Sequence, residues 1–456
     1  MNYIAKKIKA FVKHVPFSVI ADALPIENIK QYYLQRDITY RSRKYDPITV
    51  MCGIIYQASQ EDKSLQHTVN YIAEYHTKKK NEYNALKEEV DKKKNVKRYY
   101  DKPGRPKSEL PVVQKSLFQQ TSINTSSYDE ARQRLPLEIV RMVFEKNAKE
   151  FLPKDGQSNW NGHPVFIADG TKFSTPSTLE LKEYFTMNQK DANPFPIGRI
   201  EGIINLYNGG IIEVRIDNDK SSELRMLKDM YGSLPVNGIL LADHLYSSYG
   251  HLAFAQSQGK HVIAQRKTKR KEEYIRDLGQ GDCLVEITKQ SVSKIFETKE
   301  YPQPEQIIVR KIQFTNPKKP EKQIVLYTTL LDPQKYPSND ITALFQSRWQ
   351  IELTFRDIKT ILKMHHMRSK TTEMVIKEIY AHLILYNLVR SIMSTTDSSG
   401  KGAFPPSGRS IQTRSANNKK TDRYIDKIGR SYSRHGGRRS PETSDQVQTK
   451  KTTGQK

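Results

Sequence analysis

Three acidic residues stand where they could do chemistry. Asp169 follows the apolar run Pro164-Val165-Phe166-Ile167-Ala168, Asp243 follows Gly238-Ile239-Leu240-Leu241-Ala242, and Glu352 lies in a stretch with helical periodicity. An acid closing a buried strand is held rigidly at a sheet edge, and three such carboxylates brought together can hold two divalent cations. The chain carries 75 Lys and Arg against 50 Asp and Glu, a formal charge of +25. Such an excess favours a polyanionic partner, because neutralising its phosphates releases many counterions. Metal-assisted chemistry on nucleic acid is the reaction this pattern suits.

The elements that must position these acids follow from the hydrophobic pattern. At 456 residues the chain exceeds one compact core, which predicts two or three domains. Residues 1–76 read as a helical N-terminal region. Residues 77–111 read as a basic linker or arm that includes Pro103-Gly104-Arg105-Pro106, where an extended Arg105 could enter a narrow minor groove. Residues 112–155 are predicted helical, with runs at 112–120 and 127–134 that could form a helix-turn-helix presenting Arg132 and Arg134 to DNA. An ordinary helix pair and a solvated linker would give similar patterns.

The period changes after Asn161. Short strands are predicted at Val165–Ala168, Arg199–Leu206, Ile211–Ile216, Gly238–Ala242 and His261–Ala264, with Asn208-Gly209-Gly210 closing a hairpin and helices near 223–230 and 249–256. The expected fold class is α/β, a ribonuclease-H-like mixed sheet spanning 156–394. A β-strand insertion is expected at about 277–333, between the second and third acids. Helices at Leu344–Leu362 and Thr372–Met393 complete it. Residues 395–456 form a basic, polar tail with 14 Lys and Arg after Asp397, read as disordered or as the product of a frameshift or truncation near Thr396.

On a continuous helix, Phe345, Arg348, Glu352 and Lys359 fall within roughly 60° of one another, beside the apolar arc of Leu344, Ile351, Phe355 and Ile358. The apolar arc would seat the helix on the sheet and turn Glu352 toward the aspartates. Taken alone, Arg348 and Glu352 at four-residue spacing would be a surface ion pair worth about 0.3 kcal/mol. Other acids fit the triad less well. Glu201 and Glu213 are expected on a solvated strand face, Asp217–Asp219 in a turn, and Asp357 away from the Glu352 stripe. His365 and His366 are read as exposed and Trp349 as packed.

The spacing from Phe345 through Arg348 and Glu352 to Lys359 resembles the Tyr-Arg-Glu-Lys signature of bacterial insertion-sequence DDE transposases of family four. Asp169-Gly170-Thr171 resembles that family's first catalytic block and Ala242-Asp243-His244-Leu245-Tyr246 its second. Ala131-Arg132-Gln133-Arg134-Leu135-Pro136 and Arg368-Ser369-Lys370-Thr371 extend the likeness over roughly 40–394. The resemblance implies a Mg2+-dependent transposase with a retroviral-integrase-like catalytic core, with Mn2+ able to substitute, whose Asp169, Asp243 and Glu352 bind two ions. It would cut element ends and join 3′ hydroxyls to target DNA. Arg348 and Lys359 would contact phosphates, and Phe345 and His244 would also face DNA. Phe345 stands where the family has Tyr and His244 where it commonly has Arg. These departures leave open a catalytically inactive DNA-binding remnant, or a metal-dependent nuclease without strand transfer.

The implied partners are double-stranded DNA, both terminal inverted repeats and target, and a second copy of the chain in a homodimer on the DNA ends. The implied location is the bacterial cytoplasm, at the nucleoid. Cys52 and Cys283 have no metal-ligand spacing and support no disulfide framework, and no apolar run reaches membrane-spanning length.

Overall fold

Among the described residues, the strands after Asn161 form one ten-stranded mixed sheet. The computed structural model describes residues 15–38, 45–60, 62–97, 124–153, 160–187, 195–266, 270–289, 294–297, 301–316, 319–361, 364 and 367–396. The predicted first helix of the helix-turn-helix at 112–120, Arg105, His365, His366 and the tail beyond 396 lie outside these residues.

Among the described residues six helices precede the sheet: α1 (Phe17–Ala23), α2 (Ile26–Gln35), α3 (Pro47–Ser59), α4 (Leu65–Lys97), α5 (Thr125–Arg134) and α6 (Leu137–Ala148). Asp46 starts α3 by accepting from the amides of Ile48 and Thr49 at 2.9 and 3.0 Å, with Pro47 at the first helical position. The linker predicted from residue 77 is corrected up to Lys97, since α4 runs through it. Residues 78–97 are rich in Lys, Glu and Asn and contain neither Gly nor Pro, and Lys79 pairs with Glu82 at 2.9 Å, so nothing in the segment breaks the helix.

The sheet begins with β1 (Val165–Ser174), followed by α7 (Leu179–Tyr184), β2 (Thr186–Met187), β3 (Pro196–Asn205) and β4 (Ile211–Asn218). After α8 (Glu223–Met230) come β5 (Ile239–Ala242), α9 (Tyr249–Ser257) and β6 (His261–Gln265). Strands β7 (Glu272–Gly279), β8 (Asp282–Thr288), β9 (Gln306–Asn316) and β10 (Lys319–Thr328) follow, then helices α10 (Ser338–Gln346), α11 (Gln350–Ile361) and α12 (Thr372–Thr396). The strand order is β2-β3-β1-β5-β6-β10-β9-β8-β7, with β4 also paired to β3. β3 is antiparallel to both β1 and β4, whereas β5 and β6 run parallel to β1. The β3–β4 hairpin closes as its sequence predicts: Gly209 adopts φ +68° and Asn205 accepts from the amides of Tyr207 and Asn208.

The alternation of β1 divides the core. Phe166 and Ala168 join Leu240, Ala242, Val262 and Ala264 in a buried cluster under α8 and α9. The other face is covered by α11 and α12, whose Ile351, Phe355 and Ile358 are buried, each worth about 2 kcal/mol of hydrophobic stabilisation. Helix α12 is a spine packed against α3 and α6. Its buried Lys377 donates to the carbonyls of Arg132 and Gln133 at the end of α5, and its Asn387 side chain both donates to and accepts from the backbone of Ile211. Among the described residues no helix is long and apolar enough to cross a membrane.

Candidate active site

Backbone register brings the two aspartates together. The parallel β1–β5 ladder pairs Val165 with Ile239 and Ile167 with Leu241, so Asp169 and Asp243 each stand two residues beyond its last pair. Asp243 ends its strand as expected, but Asp169 does not: β1 continues to Ser174 because β3 pairs with it as far as Ile197. Asp169 thus sits where one neighbouring strand stops and the other carries on.

Helix α11 brings the third acid. Asp169 lies directly opposite Gly202 on β3, so their side-chain positions share one face. On that face the ring of Phe355 rests so close to Gly202 that an added Cβ would come within 2.9 Å of it. Glu352 precedes Phe355 by about one helical turn on the same element. The expected continuous helix over 344–362 is corrected: α10 ends at Gln346, a 3₁₀ turn spans Ser347–Trp349, and α11 starts at Gln350. This break separates Phe345 from the other three residues of the stripe. Its side chain is buried, 7 % exposed, whereas Arg348, 18 % exposed, pairs with the more exposed Glu352. Trp349, expected to be packed, is 47 % exposed.

The electrostatics couple the acids. Burial pushes the Asp169 carboxyl up to about 6; the Gly170 amide, donating at 2.9 Å, and Arg348 pull it down, while Glu352 and Asp243 push it up. Burial also acts to raise Asp243, but the amide of His244 at 2.7 Å, the His244 imidazole at 3.0 Å and Arg348 outweigh it and hold that carboxyl below its usual range. Arg348 donates to Glu352 Oε1 at 3.1 Å and acts on both aspartates, so one guanidinium serves three carboxylates. Lys359, half-buried at the far end of α11, is lowered by burial. Among the described residues no three His, Cys, Asp or Glu side chains already stand at metal-holding spacing.

The remaining candidates are dispersed. Arg132 is buried on α5 against the Tyr128 ring and pairs with Asp129 at 3.3 Å, whereas Arg134 is exposed and pairs with Glu130 at 3.5 Å. The expectation for Glu201 is overturned: it is 0 % exposed and accepts from the Tyr246 hydroxyl at 2.6 Å. Its strand is covered on both faces, so alternation did not lead to water. Glu213 is half-buried and pairs with Arg215. Arg270, unremarked in the sequence, donates to the Ser247 carbonyl at 2.9 Å just past the second acid. The signal that could have found it is the basic run Arg266-Lys267-Thr268-Lys269-Arg270-Lys271 directly after β6.

Residues 160–388, half of the chain, match the Transposase DDE domain family. Transposase InsG for insertion sequence element IS4, from Escherichia coli (strain K12), is 30% identical over 288 residues, covering 61% of this chain and 63% of that protein. The chain therefore spans just under two thirds of that relative's length. Putative transposase InsZ of the same organism is 28% identical over 142 residues, 29% of this chain and 46% of its own. Among solved structures, a piggyBac transposase synaptic complex with hairpin DNA aligns over 61% of this chain and 56% of its own at 8% identity, with a TM-score of 0.34, too slight a likeness to argue from. Since the matched family takes in the strands, the helix and all three acids alike, this chain belongs to the bacterial insertion-sequence DDE transposases.

Proposed function

We propose that this chain cuts the ends of an insertion sequence and joins the released 3′ hydroxyls to target DNA, using Asp169, Asp243 and Glu352 as metal-binding acids. The observation that carries this reading is the register that sets Asp169 and Asp243 each two residues beyond the last β1–β5 pair, with the Asp169 carboxyl, raised to about 6 chiefly by burial, within electrostatic reach of both other acids. A carboxylate that resists ionisation beside two others lacks positive charge, which a divalent ion provides. The order β4-β3-β1-β5-β6, with antiparallel strands on one side of β1 and parallel strands on the other, supports a ribonuclease-H-like domain in which β7–β10 are the insertion.

The donor set fits Mg2+, or Mn2+ in its place, in kind, because all three side chains offer hard oxygens. It requires Glu352 to exchange its bond with Arg348 for the ion. Two bound divalent ions supply an activated water and neutralise charge on the departing oxygen. The chain's own residues do the rest. Arg348, released from Glu352, and Lys359 hold phosphates near the scissile bond, the first as a planar fork and the second as a point charge. Their contacts place the DNA without reading its sequence. Asp243 stays ionised because its two bonds to His244 persist. Reading of the terminal inverted repeats falls to the helices before residue 150, including the exposed Arg134, and a homodimer holds the two ends.

The test uses the full chain with double-stranded DNA carrying the inverted repeats that flank its gene, with Mg2+ or Mn2+. Asp169→Ala, Asp243→Ala and Glu352→Ala are expected to abolish release of the 3′ hydroxyl while leaving end binding intact. Wild-type nicking by any of the three refutes the assignment. Cleavage by the wild type without joining would make it a nuclease, and binding without cleavage an inactive remnant.

A further inference from the structure

We propose that Glu201 and Tyr246 are positioning residues that fix the turn carrying Asp243 against the strand carrying Asp169. This rests on the reading of those aspartates as metal-binding acids. The β1–β5 ladder ends at Ile167 and Leu241, two residues short of both, so strand pairing does not set the distance between them. A buried bond spans that gap. Tyr246, third after Asp243 in the 3₁₀ turn His244–Ser247, donates its hydroxyl to Glu201 Oε1 at 2.6 Å, and both residues are buried.

The link passes beneath β1. Glu201 pairs with Gly170, so its carboxyl lies on the sheet face opposite the Asp169 side chain. A Cβ at position 170 would stand 2.7 Å from Glu201 Oε2, so a larger residue there would push that carboxyl aside. The turn is also held from its other side, where His251 Nδ1 bonds to the Tyr246 carbonyl at 2.6 Å and the Tyr231 hydroxyl to His251 Nε2 at 2.7 Å. Burial lowers His251 to about 4, so the ring is neutral, with Nδ1–H donating and Nε2 accepting. Burial likewise pushes the Glu201 carboxyl up to about 8. Glu201 therefore acts as a neutral acceptor, a role a glutamine amide can fill.

The experiment compares the full-length wild type with Tyr246→Phe, Glu201→Ala and Glu201→Gln by hydrogen exchange over residues 239–248 and by calorimetric titration with Mn2+ in the absence of DNA. Tyr246→Phe is expected to speed exchange after Asp243 about tenfold and weaken Mn2+ binding about as much, the scale of one lost buried hydrogen bond. Glu201→Ala is expected to match it, and Glu201→Gln to stay within about twofold of wild type. Tyr246→Phe keeps the test decisive if the alanine variant fails to fold. Unchanged exchange or unchanged Mn2+ binding in Tyr246→Phe overturns the proposal. Asp169→Ala is the control: if it binds Mn2+ as the wild type does, the metal assignment fails, and exchange alone decides the tether.

Discussion

Gly202→Ala drives a wedge between the sheet and the helix that carries Glu352. The added Cβ would stand 2.9 Å from Phe355 Cζ, where ordinary contact begins at 3.4 Å, so the ring must withdraw by about 0.5 Å. Phe355 is 3 % exposed and flanked by the fully buried Ile351 and Ile358, so it cannot swing into water, and the displacement passes to the α11 backbone. Overpacking of this kind costs about 1–3 kcal/mol. The effect on chemistry is larger in proportion, since Gly202 lies opposite Asp169 and misplacing catalytic groups by about 1 Å can cost about a hundredfold. Nicking of element-end DNA is expected to slow by about ten- to a hundredfold with a melting temperature only a few degrees lower. Gly202→Ala combined with Phe355→Leu, which shortens the blocking side chain, is expected to recover most of the rate. Wild-type nicking by Gly202→Ala, or no recovery in the double variant, refutes the idea that this contact sets the height of Glu352 above the sheet.

Three further outcomes follow from charge and burial. Glu201 titrates near 8 in the fold against 4.5 otherwise, so the stabilisation its proton brings is complete below 4.5 and lost as pH rises through 8. The stability of the wild type relative to Glu201→Gln, measured by denaturant unfolding, is thus expected to fall across that window by on the order of 5 kcal/mol. Arg348 lowers Asp169, so Arg348→Ala is expected to move the onset of Mn2+ binding to the DNA-free protein above about pH 6, and an unmoved onset in calorimetric titration would show that Asp169 ionisation does not govern metal binding. Arg310 and Asp282 form a buried pair, with Nε donating to Oδ1 at 2.8 Å. Arg310→Ala is expected to cost about 3–5 kcal/mol in chemical unfolding by leaving the carboxylate unpaired.

The sequence was most legible where local pattern and tertiary role agreed. Asp243 could be placed from a four-residue apolar strand, and the β3–β4 turn from Asn208-Gly209-Gly210, because each signal is confined to a few neighbouring residues. It was less legible where a distant partner decided the outcome. The extent of β1 beyond Asp169 is set by β3, whose pairing residues lie about 30 positions away, and apolar composition alone says nothing of them. A helical wheel assumes one uninterrupted helix, so it could not register the 3₁₀ turn at Ser347–Trp349 that buries Phe345. Alternation does not place Glu201, because it reports which side chains share a face, not what covers that face. Its partner Tyr246 lies 45 residues away in the chain.

The spine helix has a consequence for how such proteins can diversify. Helix α12 presents Val375, Ile379, Leu383 and Val389 to its neighbours and satisfies the end of α5 with Lys377, so the early helices and the acid-bearing sheet share one interior. A chain trimmed to the family-matched segment would bare that surface and take from Lys377 the two α5 carbonyls it bonds, leaving it paired with Glu373. Exchanging the front of one such protein for that of another would succeed only if the matching face of α12 travelled with it, which makes this helix the seam along which inherited parts must be cut.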